Sequence, residues 1–223
     1  MKDQERLVLA ALLHDIGKFR MRHTRLNKRH QEHSYAFVTE DFGEFFTPCG
    51  DTFKNAILNH HTEGEDLIEK QVILADKLSA KETEGEAATT TALTSVLSKL
   101  KCAANRDKTF QYPITELNFQ KPETIIPSAD SIKIEQKSDA DLWQAFTDAL
   151  GKATKATANK HYTPAFYQTL VALLRKYTSR IPSETANPDE ADISLYDHLR
   201  TTAAKVLDAE SCITHPAHSI EKT

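Results

Sequence analysis

Leu12-Leu13-His14-Asp15-Ile16-Gly17-Lys18 decides how this chain is read. A histidine and an aspartate stand side by side at the end of an apolar helical run, and a glycine and a lysine follow. Polar ligands where a helix would otherwise bury hydrocarbon suit a metal site better than a core. On a helix the two side chains diverge by about 100°, which still lets both reach one cation at the helix edge. The bland alternative is a helix-end histidine with a capping carboxylate.

Working outward, Leu7, Ala10, Ala11 and His14 recur at helical spacing from Gln4 to Gly17, where glycine lets the backbone turn out. Phe19 to Gln31 is polar and basic, carrying Arg20, Arg22, Arg25, Lys28 and Arg29, and reads as a long loop. A second helix is expected from Glu32 to about Asp41. A third runs from Asp51 or Thr52 through Phe53 and Ile57 to His60, with Gly64 breaking it. A fourth spans about Glu65 to Ala80. These helices make an all-α unit over 1–84. Residues 85–138, with Pro113, Pro122 and Pro127, read as a linker and an irregular excursion containing short strands. Helices return over 139–212: from Asp139 to Leu150, from Thr163 as cap and Pro164 as first residue to Tyr177, and from Ser194 to Asp208. The fold class expected is mainly α with a small irregular insertion.

Further residues could join His14 and Asp15. His60-His61 ends a helix whose apolar face is Phe53, Ala56 and Ile57, so one of the pair points inward; a helix C-terminus stabilised by imidazolium charge is the competing reading. Asp76 lies in Ile73-Leu74-Ala75-Asp76-Lys77-Leu78, apolar over most of its circumference. There a carboxylate needs a cation or a metal-bound histidine, unless it is exposed and paired with Lys77 or Lys81. His30 and His33, three apart, face one side if helical and serve as second-metal ligands, as phosphate contacts or as surface residues. Lys18, Arg20 and Arg22 are natural partners of a phosphate backbone.

The chain has 223 residues, 39% hydrophobic and 27% charged, enough for a buried core and typical of a soluble globular protein. A net charge of −4 argues against whole-molecule attraction to nucleic acid but allows a local basic patch. Cys49, Cys102 and Cys212 are scattered, which fits ordinary thiols of a reducing compartment. No signal peptide or membrane-length apolar run is visible, so a cytoplasmic protein is expected.

Together, the helix-borne His-Asp, the later histidines and the final aspartate resemble the HD superfamily of metal-dependent phosphohydrolases. More narrowly, the chain resembles the amino-terminal part of the large subunit of type III CRISPR effector complexes of the Csm type. The resemblance rests on Ala10 to Lys18, Leu58-Asn59-His60-His61, Ile73 to Ser79, Tyr112-Pro113-Ile114, Lys176-Tyr177-Thr178 through Ile181-Pro182-Ser183, and Asp192 to His198. It implies a circularly permuted helical HD domain. The helix bearing a lone histidine, normally first, is replaced by Leu195 to Ala204, and His198 becomes a ligand or near neighbour of the metal site. It further implies a single-stranded DNA nuclease working beside other effector subunits, crRNA and target RNA. His14, Asp15, His60 or His61, Asp76 and His198 would hold one or two divalent ions, and Lys18 would neutralise a phosphate oxygen. Mixed imidazole and carboxylate ligands suit Mn, Ni, Co or Fe better than Mg. The family's palm domains carry a Gly-Gly-Asp-Asp cyclase motif; none of the six glycines here adjoins another, so ATP is not expected as a substrate. A nucleotide phosphomonoesterase and a non-catalytic docking module are the rival readings.

Overall fold

The computed structural model describes residues 2–24, 26–79, 95–96, 114–121, 139–157, 162–184 and 193–214. Their regular elements are helical: α1 (Asp3–Leu13), α2 (Gly17–Thr24), α3 (His30–Ala36), a π-helical turn (Phe37–Asp41), α4 (Gly43–Phe46), a 3₁₀ turn (Thr47–Cys49), α5 (Gly50–Leu58), α6 (Leu67–Ser79), α7 (Asp139–Ala156), α8 (Pro164–Thr178) and α9 (Leu195–Thr214). Among the described residues there is no strand. An isolated antiparallel bridge between Pro182 and Ser194 ties the end of α8 to the start of α9. Of the excursion expected over 85–138, residues 95–96 and 114–121 lie in irregular backbone; the rest is outside the described residues.

α1 is central. Leu7, Leu9, Ala10, Ala11, Leu12 and Leu13 are all buried, so hydrophobic partners surround most of the helix. Its first turn is secured by Glu5, whose carboxylate accepts from the Lys2 backbone N–H at 2.9 Å. Glu32 does the same for Arg29 at the start of α3, at 2.8 Å. α8 begins as the sequence leads one to expect, with Thr163 accepting from Phe166 N–H ahead of Pro164. At α9, Ser194 Oγ accepts from Asp197 N–H and donates to the Asp197 carboxylate.

α9 packs across α1 and α6, and its Leu199, Ala203 and Val206 join the same apolar core as Leu9, Leu13 and Val72. The late helix is thereby part of the unit built by the first six. Gly64, at φ +68°, turns the chain between α5 and α6 in a conformation that side chains rarely adopt, with Ile73 packed against its α-carbon.

The basic stretch after Lys18 departs from the expected loop. Gly17 to Thr24 is helix, and the reason is hydrophobic. Phe19 is fully buried against Trp143 and Phe146 of α7, its ring 4.9 Å from the Trp143 ring and edge-on to it. The cost of taking the intervening arginines inside is met by acids: Asp41 accepts two bonds from Arg20, and Asp139 lies beside Arg22. The helix expected from Glu32 to Asp41 is present, but its last turn is π-helical, closing with Phe42 N–H on Phe37 C=O at 3.0 Å.

Candidate metal centre

His14 and Asp15 come off the end of α1, His60 and His61 follow α5, Asp76 is on the inner face of α6, His198 is in the first turn of α9, and His30 opens α3. Four of these, together with Lys18, converge on Asp15. Its Oδ2 is 3.0 Å from His198 Nε2, 3.5 Å from His14 Nε2 and 2.7 Å from Lys18 Nζ. Its Oδ1 is 3.2 Å from His30 Nε2 and 3.3 Å from His60 Nε2. Asp76 Oδ1 faces the first half, 3.2 Å from His14 Nε2 and 3.1 Å from His198 Nε2. His61 faces the second, its Nε2 2.8 Å from that of His30.

Two ligand groups result, sharing Asp15. One is His14, Asp15, Asp76 and His198, every member buried. The other is Asp15, His30, His60 and His61, open to solvent along His30 and His61. Orientation is imposed from behind. His14 Nδ1 faces Ala11 C=O at 2.9 Å and His60 Nδ1 faces Ile57 C=O at 2.6 Å, so each donates there and presents Nε2 to the centre.

The protein alone leaves this cluster unbalanced. Both Asp15 carboxylate oxygens and His60 Nε2 are buried without a well-formed hydrogen bond. Two pairs of imidazole nitrogens face each other, His14 with His198 at 3.2 Å and His30 with His61 at 2.8 Å, an arrangement that a proton or a metal cation between them would satisfy. Imidazole and carboxylate donors converging in this way fit divalent cations.

Electrostatics agree. Burial pushes Asp15 up, yet Lys18, His14, His30 and His198 outweigh it and hold the carboxyl well below its ordinary value. Burial likewise opposes Asp76, whose carboxyl is pulled down by His14 and His198. Burial disfavours charge on His198, but Asp15 and Asp76 overcome it and raise its pKa to about 9. His60 is raised against its burial by Asp15. His30 is lowered, burial outweighing Asp15.

Of the expected metal ligands, His14, Asp15, His60, His61, Asp76 and His198 therefore lie in one cluster. His60 is the inward member of its pair, and His61 reaches the outer group from the exposed side. The competing reading of Asp76 as a surface carboxylate does not survive its burial. His30, read from sequence as a nucleic-acid contact or second ligand, sits within the ligand group. The residues expected to line a nucleic-acid surface divide: Lys18 is at the centre, whereas Arg20, Arg22 and His33 are buried away from it. His33 Nε2 faces Leu26 C=O at 3.3 Å, and burial lowers its pKa.

What sequence reasoning missed is the second role of Gly17. A β-carbon there would lie 1.9 Å from His30 C=O and 2.6 Å from Ser34 N, and Gly17 N–H donates to Ser34 Oγ at 2.7 Å. Glycine lets α3 press against the start of α2, and that contact sets His30 beside Asp15.

A family model of the HD domain matches residues 1–81. The fold of the whole chain resembles solved structures of Csm1. One is the Csm1–Csm4 cassette in complex with cA4, with a TM-score of 0.61, 21% identity and 99% of this chain against 29% of that one. Another is Csm1 in T. onnurineus, with a TM-score of 0.60, 23% identity and 100% against 30%. A third is the Csm1–Csm4 subcomplex of the type III-A CRISPR-Csm interference complex, at 0.59, 20% and 99% against 29%. At these identities the likeness is one of fold, and the chain spans less than a third of each of these structures. No curated protein sequence matches it. The helices within residues 1–81 receive His198 from α9, at the other end of the described chain, which is the permuted order that the resemblance implies.

Proposed function

We propose that the chain is a metal-dependent phosphodiesterase that cleaves single-stranded DNA as the HD module of a type III CRISPR effector complex. The observation carrying this reading is Asp15, whose two buried carboxylate oxygens each face a separate group of histidines. His14, Asp76 and His198 would hold one cation with Asp15; His30, His60 and His61 would hold the other. Manganese, nickel, cobalt or iron suits these ligands better than magnesium. A divalent cation held here lowers the pKa of a water and withdraws charge from phosphoryl oxygens.

The chain's own residues do the rest. The Ala11 and Ile57 carbonyls fix the imidazoles before substrate arrives. Lys18 Nζ, 2.7 Å from Asp15, supplies the positive charge that meets a non-bridging phosphate oxygen. The open edge at His30 and His61 admits an extended backbone, which supports a polynucleotide over a mononucleotide. The cytoplasm is the proposed compartment, beside other effector subunits, crRNA and target RNA; no described helix is long and apolar enough to cross a membrane.

The test pairs a single-stranded oligonucleotide with a deoxynucleoside monophosphate in the presence of manganese or nickel. Oligonucleotide cleavage, lost together with bound metal in His14→Ala/Asp15→Ala, is the expected result. Phosphate release from the monophosphate with the oligonucleotide left intact would make the chain a phosphomonoesterase. Unchanged metal content in the double variant would leave a docking module.

A further inference from the structure

Away from the cation site, α1, α8, α9 and the segment 114–121 enclose a groove of about 690 Å³, a volume in the range of built binding sites. Its floor is aliphatic, formed by Leu12, Val171, Ala203 and Leu207, and Phe119 stands at its rim, 77% exposed. Among the described residues its charge is one-sided: Arg175, Lys176 and Arg200 line it and no described aspartate or glutamate does, in a chain with 32 acidic and 28 basic residues.

We infer that this groove docks an amphipathic helix of a partner protein, one whose leucine-like stripe is flanked by acidic residues. The α8 and α9 contributions repeat at helical spacing, Tyr167–Val171–Arg175 on one side and Tyr196–Arg200–Ala204–Leu207 on the other. They form two rails between which a third helix seats, with Ala172, Ala203 and Ala204 leaving room for close approach. The unopposed cations select acid on the flanks of the incoming helix, chiefly through the association rate and through rejection of basic partners.

A second copy of this chain is a poor match. The exposed apolar stripe on α6, Leu67, Leu74 and Leu78, is flanked by Lys70 and Lys77, so it would bring like charge to the groove. Single-stranded nucleic acid would welcome the cations and the ring faces of Phe119, Tyr167 and Tyr196; the aliphatic floor of Leu12, Val171, Ala203 and Leu207 instead matches a leucine stripe, and competition with dT20 decides between the two.

The experiment uses the whole chain and two lactam-bridged helical peptides of about 18 residues. Both carry leucines at i, i+4, i+7 and i+11; one has glutamate flanks, the other lysine. Anisotropy should show the glutamate peptide binding at least ~10-fold tighter, by about 1.4 kcal/mol. Leu207→Glu, at an exposed position, should weaken it ~10-fold, and Arg175→Glu with Arg200→Glu should reverse the preference. Ala204→Glu replaces any variant whose circular dichroism departs from wild type. Equal binding of the two peptides, binding by neither, or indifference to Leu207→Glu overturns the inference. So does displacement by an equal concentration of dT20, which gives the groove to nucleic acid. Self-association abolished by Leu207→Glu gives it to a second copy.

Discussion

The Nε2 atoms of His14 and His198 lie 3.2 Å apart, although 184 residues separate them in sequence. Neither ring gains from this proximity unless something positive lies between the two nitrogens. A cation at His14, Asp15, Asp76 and His198 would bolt α9 to α1 and α6, so binding it would also stabilise the fold. Manganese should therefore raise the melting temperature of the wild-type chain by several degrees. In His198→Ala the shift should fall to the part contributed by the outer group, as read by differential scanning fluorimetry with and without metal. A shift of wild-type size in the variant would remove α9 from the cation site.

The same imidazole sets the pH response of the metal-free protein. His198 has its pKa raised to about 9 against about 6.5 in an unfolded chain. Its protonated form therefore stabilises the fold fully below pH ~6.5 and loses that contribution as pH rises through about 9. Asp15 and Asp76 act in the opposite sense. Their lowered pKa values stabilise above pH ~4, and the contribution is lost as acid protonates them. Stability without metal should thus be highest at mildly acidic pH and fall between pH 7 and 10 by on the order of 3 kcal/mol. Metal requires deprotonated imidazole, so manganese affinity should rise over the same range. Urea melts at pH 6, 7.5 and 9.5, with and without manganese, check both slopes; a metal-free protein that gains stability above pH 7 would contradict the assignment.

Burial distinguishes the two ligand groups, and on the proposed reading it should separate their cations kinetically. His14, Asp15, Asp76 and His198 are enclosed, whereas His61 is exposed and the His30 side chain retains 23% of its accessibility. A chelator should therefore strip the outer cation first. Two-phase metal loss is expected, with only the fast phase missing in His61→Ala. Single-phase loss, identical in the variant, would deny an outer position.

Much of this was legible from residues alone. α8 could be placed from Thr163 and Pro164 because capping and the fixed proline φ are local effects. Asp76 was legible because a carboxylate on a largely apolar helix demands a partner. The α2 helix was not, since its arginines look like solvated loop residues until Asp41 and Asp139 arrive from other segments. His30 was not separable from His33 for a similar reason. Both lie on one short helix, and which ring meets Asp15 depends on the contact between α2 and α3 at Gly17. Tertiary contacts of this kind leave no periodic trace.

Gly17 gives that contact a direct test. Gly17→Ala places a methyl group 1.9 Å from His30 C=O, against backbone that cannot swing aside. α3 must retreat, at a cost of about 1–3 kcal/mol as in other overpacked sites. His30 retreats with it. Bound manganese measured by elemental analysis should fall by the outer equivalent while the inner one is retained. Wild-type stoichiometry and stability together would show that α3 does not depend on this approach.

The Arg20–Asp41 pair supports the same face from the other side. Arg20 Nε and Nη2 donate to the Asp41 carboxylate at 2.8 and 2.9 Å, and Nη1 reaches toward His33 Nδ1 at 3.4 Å. The π-helical turn ends at Asp41, which delivers that carboxylate to the guanidinium. Asp41 is half-open to solvent, so breaking the pair costs less than it would deep in the core. Asp41→Ala should lose about 1–2 kcal/mol, most of it the penalty of leaving a buried guanidinium short of its acceptor. Arg20→Met/Asp41→Leu removes both charges and keeps the packing, so it should recover at least half of that loss. Denaturant melts of the two variants distinguish a charge clamp from simple hydrocarbon contact: equal destabilisation in both would mean that the stem of Arg20, rather than its charge, holds α2 in place.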